Sequence, residues 1–349
     1  MSNELFEDDI RYVAELDLPW NELTDKAVLI TGASGLIGSF LVNVLMYKNR
    51  FDKLDCNIYA IGRNKERADK TFCEYQEDER FQFIAHDINV PMGAIDIKDA
   101  DYVLHLASNT HPIAYAEDPI GTITANVIGT NNMLEFAVNH NARRLVFASS
   151  NEIYGENRGD AEFFDERYCG YIDCNTLRAG YPESKRCGEA LCQAYIKQKG
   201  LDAVVARFTR TYGPTMLSSD TKAIAQFIKK AAAQENIVLK SDGKQFYSYT
   251  YVADAVSGLL TVMLRGKCGE AYNIADKRGD IRLKDLAEMI AGIAGTNVVF
   301  ELPDDKEKAG YSTATKARLN GDKLKALGWN MRYDVSSGMW KTLRFLMMK

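Results

Sequence analysis

Thr31-Gly32-Ala33-Ser34-Gly35-Leu36-Ile37-Gly38 decides the fold. The apolar run Ala27-Val28-Leu29-Ile30 precedes it, and Ile37, Phe40, Leu41, Val44 and Leu45 follow at helical spacing. The segment therefore reads as a strand, a tight glycine turn and a helix. Gly32 permits the sharp turn because no Cβ restricts its φ. Gly35 lets a pyrophosphate approach the backbone, and Gly38 lets the new helix lie close against its strand. The unpaired N–H groups and positive dipole end of that helix then face the phosphates. The spacing is GxxGxxG rather than the GxGxxG dinucleotide fingerprint, so the strand–turn–helix context carries the reading. A glycine-rich turn without a ligand is the plainer alternative.

Working outward, further strands are expected near 57–62, 81–84, 102–106, 145–148 and 203–206. Helices fit 120–140 and the segment carrying Glu183, Lys185, Glu189, Leu191 and Tyr195. Strands alternating with helices predict an α/β fold, a Rossmann-type doubly wound parallel sheet covered on both faces. Ligands then belong outside the carboxyl ends of the strands. Residues 25–206 form the expected dinucleotide-binding unit. Residues 207–349 read as a smaller, mixed α/β substrate domain, with some segments returning to the first unit. Its helices are expected at 223–234, 252–264, 283–293 and 321–327, with extended segments at 237–239 and 271–274. Residues 1–24 are an extension in which Leu16, Leu18, Pro19 and Trp20 either dock it on the body or let it cover a site.

Composition narrows the function. The chain has 349 residues, 46% hydrophobic and 26% charged, as an ordinary soluble enzyme does. A net charge of −5 without a basic block argues against nucleic acid as a partner. No stretch has the length and apolarity of a membrane span. The acidic, polar N-terminus is the opposite of a signal peptide, which predicts a cytoplasmic protein. Seven cysteines, with Cys169/Cys174 and Cys187/Cys192 spaced too widely for zinc knuckles, read as free thiols. The histidines at 86, 105, 111 and 140 have no ligand spacing, so no metal is expected.

Several strand ends carry chemistry. Gly62-Arg63 follows the second strand, where an acidic residue takes a ribose 2′-OH and an arginine suits a 2′-phosphate. Arg63 thus leans towards NADP, although a solvated turn arginine looks the same. Asp87, before Ile88, is placed for an adenine amine or simply for a turn. Leu106, Ala107 and Ser108 bring small residues and bare backbone to a cofactor ribose. Tyr181-Pro182-Glu183-Ser184-Lys185 has the form YxxxK, which puts phenol and ammonium on one helix face. The ammonium is expected to favour the phenolate and to hold the ribose. Ser150, at the end of the preceding strand, is placed to bond the reacting hydroxyl. An amphipathic helix start is the alternative for YxxxK alone; the ordered set is more specific.

With these motifs the chain resembles the extended short-chain dehydrogenase/reductases, of the NAD-dependent epimerase/dehydratase type, that modify nucleotide sugars. TGASGLIG, HLAS (105–108), Asn126 within TANVIGT, SSNEIYG (149–155), YPESK, TYGP (211–214), YVADAVSGL (251–259) and LGW (327–329) carry the likeness, over roughly residues 26 to 345. The resemblance implies NAD or NADP, a nucleotide-sugar substrate and a homodimer through a helix bundle. It assigns Tyr181, Lys185 and Ser150 to catalysis and Asn126 to their support. The implied cofactor set is Gly32, Ser34, Gly35, Leu36, Ile37, Gly38, Arg63, Asp87, Ile88, Leu106, Ala107, Ser108, Asn126, Tyr181 and Lys185.

HLASNTHPIAYAEDP, NVIGTNNMLEFA and SSNEIYG look most like UDP-glucuronate decarboxylases. Decarboxylases and 4,6-dehydratases place Glu where Glu152 stands, and epimerases tend to have a small or polar residue there. Oxidising C4 gives a ketone that acidifies C5–H and makes a C5 carboxylate a β-keto acid, so a carboxyl beside C5 can move the later proton. The dTDP-glucose dehydratases have an Asp before that Glu; here it is Asn151. Many relatives clamp the diphosphate with an Arg in the segment matching 245–249, but Tyr247 stands there, and a phenol brings no charge. Cations able to replace it include Arg207, Arg210, Lys222, Lys240, Lys316 and Arg318. The implied substrate set is Ser108, Asn151, Glu152, Arg210, Tyr247 and Arg318. Decarboxylase-like chemistry leads, ahead of 4,6-dehydration or epimerisation. A net NAD(P)H-dependent reductase of an unusual nucleotide-linked sugar or polyol is the alternative, and a non-catalytic cofactor sensor is the alternative of a different class.

Overall fold

The computed structural model describes residues 2–95, 97–110, 112–301 and 315–348. Strand β1 (Ala27–Thr31) is buried along its whole length. Val28 and Ile30 enter one apolar cluster and Leu29 the other, so both faces of the sheet are covered. Strands β2 (Asn57–Gly62), β3 (Phe81–Ala85), β4 (Tyr102–His105), β5 (Arg144–Ser150) and β6 (Ala203–Phe208) follow in sequence. Beyond them come β7 (Arg210–Tyr212), β8 (Ile237–Leu239), β9 (Phe246–Tyr251) and β10 (Ala271–Ile274). The main sheet has seven strands in the order β10-β6-β5-β4-β1-β2-β3, all parallel. Strand order switches direction at β1, whose neighbours are β2 and β4; a crevice opens at such a point.

The covering helices include α1 (Ser2–Ala14), α2 (Leu36–Asp52), α3 (Lys65–Thr71), α4 (Pro112–Glu117), α5 (Pro119–Asn139), α6 (Gly180–Lys199), α7 (Ala223–Ala232), α8 (Val252–Arg265) and α9 (Leu283–Ala294). Strands β11 (Asp280–Arg282) and β13 (Lys316–Ala317) flank β9, which also pairs with β7; β12 (Val298–Phe300) pairs with β8. Strand β9 carries no apolar–polar alternation, because Phe246, Tyr247, Tyr249 and Tyr251 are all large and its Ser248 and Thr250 are buried too.

The N-terminal extension docks on the body. Ile10, Val13 and Ala14 are buried. Phe6 meets Phe40 of α2 edge-on at 5.5 Å and Phe345 of the C-terminal helix Val335–Met347 at 5.7 Å. Asp9 is buried as well, accepting from Tyr251 Oη at 2.7 Å and pairing with Lys341 Nζ at 3.1 Å. None of the described residues of α1 lines the main cavity.

Candidate active site

A cavity of ≈ 1560 Å³ runs along the carboxyl ends of the strands, from the glycine turn to Tyr247 and Tyr249 of β9. At one end, Gly32 has φ +67°, and a Cβ there would stand 2.9 Å from the backbone of Ala107. A Cβ on Gly38 would stand 2.5 Å from the Gly32 carbonyl oxygen. No side chain caps the start of α2, so its first N–H groups are left for a ligand. Ser34, Gly35, Leu36, Ile37, Leu106, Ala107 and Ser108 line this end.

The turn is wired to β4 by residues the sequence reading did not single out. Thr31 Oγ1 accepts from the Leu106 and Ala107 amides, each at 3.1 Å, and bonds His105 Nδ1 at 2.8 Å. His105 Nε2 meets Thr130 Oγ1 at 3.1 Å, and Thr130 donates to the Asn126 carbonyl at 2.6 Å. Burial, reinforced by Lys185, pushes the His105 pKa down to about 3, so the ring is a neutral link. Asn126 is wholly buried; it accepts from Ser108 Oγ at 2.7 Å and donates to Ser184 Oγ at 2.9 Å. Asp87 lines the cavity and also makes the turn, accepting from the Asn89 amide at 2.9 Å. Ile88 is fixed through its carbonyl by Asn132 Nδ2 at 2.8 Å. Arg63 lines the cavity from an exposed position after β2.

Further along, Ser150 ends β5 and its hydroxyl accepts from the Glu152 amide at 3.2 Å. Tyr181 and Lys185 sit one turn apart on α6, both buried. Ser150 and Tyr115 are the hydroxyls whose influence on the Tyr181 phenol lowers its pKa. The expected acidification of this phenol is not what the structure shows. Burial raises its pKa above the ordinary tyrosine value, and the Glu152 charge raises it further; Ser150, Arg178 and Tyr115 oppose this. Lys185 turns its ammonium to the Ala148 carbonyl, 2.8 Å away, and burial pulls its pKa down to about 7. A lysine that is itself desolvated gives the phenol little charge to lean on.

Glu152 is not a solvated turn residue. Arg178 Nη2 donates to its Oε2 at 2.6 Å. The Arg178 guanidinium lies 4.9 Å from the Tyr115 ring centre, and Tyr115 stacks on Tyr181 at 4.7 Å with 25° between planes. Tyr115 and Arg178 were missed in the sequence. Arg178, three residues before Tyr181, lies in the 3-10 turn that leads into α6, but that spacing gains meaning only once Glu152 is known to face it.

Asn151 is buried and lines the cavity beside Glu152. Arg210 and Tyr247 line its far end, guanidinium on ring at 3.5 Å. Arg318 does not line the cavity, which corrects its expected role. It lies between Phe163 and Phe246, 4.3 and 4.5 Å from their ring centres, with Glu162 3.4 Å away. Strand alternation explains this: Ala317 pairs with Tyr247, so the next residue projects to the other face. Among the described residues, no group of three His, Cys, Asp or Glu could hold a metal ion; His111 lies outside them.

Comparison with known proteins places this geometry. The NAD dependent epimerase/dehydratase family matches residues 28–275. The chain belongs to that family. Curated relatives of this epimerase/dehydratase include UDP-glucuronic acid decarboxylase 1 of Xenopus tropicalis, 30% identical over 93% of this chain and 73% of the relative. UDP-glucuronic acid decarboxylase 6 of Arabidopsis thaliana is 31% identical over 90% of this chain and 87% of its own. Among solved structures, the UDP-glucuronic acid 4-epimerase of Bacillus cereus, in complex with UDP-glucuronic acid and NAD, has a TM-score of 0.78 at 22% identity. It covers 92% of this chain and 99% of its own. The dTDP-glucose 4,6-dehydratase DesIV of Streptomyces venezuelae, with NAD bound, also scores 0.78, at 23% identity over 91% and 96% of the two chains.

The family's cofactor is NAD. The cradle fits it, since Gly32 and Gly38 leave no room for a Cβ and the start of α2 is uncapped towards the cavity. The lean towards NADP rested on Arg63 alone. No helix among the described residues is long and apolar enough to cross a membrane.

Proposed function

We propose that this epimerase/dehydratase oxidises C4 of a nucleotide-activated sugar and then acts on the 4-ketone, in the manner of a UDP-glucuronate decarboxylase. The observation that carries this is the convergence of Ser150, Tyr181, Lys185 and Glu152 on the cavity that holds the glycine turn. NAD, held by the glycine turn and the start of α2, would supply a hydride acceptor for C4 and, once reduced, a hydride donor to the ketone. Ser150 and Tyr181 face the sugar hydroxyl, and Tyr181, once it has lost its own proton, takes the hydroxyl's proton as C4 is oxidised; Ser150, Arg178 and Tyr115 are the groups that ease that loss. The ketone turns a C5 carboxylate into a β-keto acid that loses carbon dioxide. Glu152, held by Arg178, is the carboxyl placed for the proton at C5. Asn151 beside it cannot donate a carboxyl proton, which favours decarboxylation over dehydration of the dTDP-glucose kind.

Incubating the protein with a panel of nucleotide sugars, without added cofactor, tests the reading. Loss of carbon dioxide from UDP-glucuronate is the expected mass change. Loss of water, or an isomer of equal mass, would move the assignment to dehydration or epimerisation. Turnover only with stoichiometric NADPH would favour the reductase alternative. A Tyr181→Phe variant is expected to lose turnover and keep cofactor binding; a sensor would lose little. A cytoplasmic homodimer belongs to the same proposal, with the exposed Ile120, Ile123 and Ile128 of α5 as its apolar face; sedimentation tests it.

A further inference from the structure

We propose that Arg210 holds the diphosphate of the substrate, and that the ring of Tyr247 holds Arg210 in position. The proposal rests on the nucleotide-sugar reading above and names the group that secures the nucleotide.

Strands β7 and β9 run side by side, with Arg210 opposite Tyr249. Tyr247 lies two residues back along β9 and therefore faces the same way. The Arg210 guanidinium sits 3.5 Å from the centre of the Tyr247 ring, and both residues line the cavity. Stacking uses the face of the guanidinium and leaves its edge donors unspent. The Nη1 atom is buried and has no hydrogen-bond partner. Buried donors on a charged group are seldom left unsatisfied without a functional reason.

Three other cations of the cavity are already paired. Arg178 pairs with Glu152 at 2.6 Å, Lys222 with Asp220 at 3.0 Å and Lys230 with Glu235 at 2.5 Å. Among the described residues, Arg210 has no carboxylate partner, so its charge is not neutralised. Arg210 is the charge that most lowers the Tyr247 and Tyr249 pKa values, and Arg178 acts on Tyr247 as well. Arg210 enters the cavity from β7, beside Tyr247 and Tyr249 of β9, whereas Tyr181 enters it from α6, and the diphosphate of this proposal belongs on the β7–β9 side. An arginine fork matches two phosphate oxygens. The charge absent at Tyr247 is present on the neighbouring strand, and the tyrosine serves as its platform.

The test titrates UDP, dTDP and UDP-glucuronate into NAD-loaded protein. Arg210→Gln is expected to weaken all three at least tenfold while NAD affinity holds, and Arg210→Lys to weaken them less. Tyr247→Leu is expected to weaken them several-fold. Adding Tyr247→Arg to Arg210→Gln is expected to restore diphosphate binding. Undiminished UDP binding by Arg210→Gln overturns the proposal, as does a loss confined to UDP-glucuronate, which would assign Arg210 to a sugar carboxylate. If wild-type protein binds none of the three, the nucleotide-sugar reading fails first and this proposal with it.

Discussion

Arg178 holds Glu152 at 2.6 Å, and the pair lies on a stack that ends at the Tyr181 phenol. Tyr115 is the middle layer, with Arg178 on one side and Tyr181 on the other. After burial, the Glu152 charge is the largest influence raising the Tyr181 pKa. Removing that charge makes the phenolate easier to form. Glu152→Gln is therefore expected to shift the acid limb of C4 oxidation to lower pH. Overall turnover should still fall, by about a hundredfold, because the carboxyl at C5 is gone. Single-turnover appearance of reduced cofactor against pH reads the first effect and product formation the second. A limb that stays in place would separate Glu152 from the phenol.

Arg178 acts in the opposite sense. It lowers the Tyr181 pKa, so Arg178→Leu is expected to move the same limb to higher pH. The variant also strands a carboxylate whose side chain is only 20% exposed. Losing a charged hydrogen bond there is expected to cost about 2–3 kcal/mol of stability. Thermal unfolding beside the pH profile shows whether both changes occur; equal shifts of the two variants in one direction would contradict the electrostatic account.

The three glycines of the turn differ in what a methyl group meets. At Gly38 it meets the Gly32 oxygen at 2.5 Å and Ala33 backbone atoms at 2.8 Å, none of which can rotate away. At Gly32 it meets Ala107 backbone at 2.9 Å and also sits at φ +67°. At Gly35 it meets only the Gly32 oxygen, at 3.2 Å. Alanine at 32 or 38 is expected to destabilise by about 1–3 kcal/mol. Alanine at 35 is expected to keep the unfolding midpoint and lose NAD affinity, since Gly35 lines the cavity and its added methyl meets little of the protein. Melting curves with and without NAD distinguish the two classes.

The parallel sheet was legible because its strands are short apolar runs set between turn residues and helices. The phosphate turn was legible because glycine positions there follow from backbone clearance. Fixed spacing and a strand end singled out Tyr181, Lys185 and Ser150, and the three line one cavity. Tyr115 was not, because nothing local marks a tyrosine on α4 as the neighbour of one on α6. Arg318 was misplaced because motif order says where a residue falls in the chain but not which face of β13 it takes. The phenolate expectation failed for an electrostatic reason: the sequence shows that a lysine is near, but not that burial weakens it.

The docked N-terminal helix makes a separable prediction. Deleting residues 1–14 uncovers Phe40 of α2 and removes buried Ile10 and Val13, each worth about 1.5–3 kcal/mol. It also leaves Tyr251 and Lys341 without Asp9. The truncated protein is expected to melt well below the full chain. No described residue of α1 lines the cavity, so the KM of protein that stays folded should be unchanged. A changed KM with an unchanged midpoint would mean the helix covers the site after all.

Lys185 links stability to pH with a sign that can be fixed in advance. Its folded pKa is about 7 and its ordinary value 10.5. Between those values the unfolded chain binds the proton and the folded chain does not, so this residue makes the fold more stable as pH rises from 7 towards 10.5. Below pH 7 the burial penalty is fully present. Each unit of depression corresponds to about 1.4 kcal/mol. Lys185→Met keeps much of the volume and removes the charge, although it leaves the Ala148 carbonyl without its donor. The variant is expected to abolish turnover and to gain stability relative to wild type at pH 7, with that advantage shrinking by pH 9.5. Taking the difference between the two proteins at each pH cancels the titration of Cys56, which burial raises to about 12, but not that of Cys192, which Lys185 itself lowers; a Cys192→Ala background removes it from both proteins. An advantage that stays constant from pH 7 to 9.5 would mean that Lys185 titrates near its ordinary value, and that its ammonium is a full charge beside the phenol.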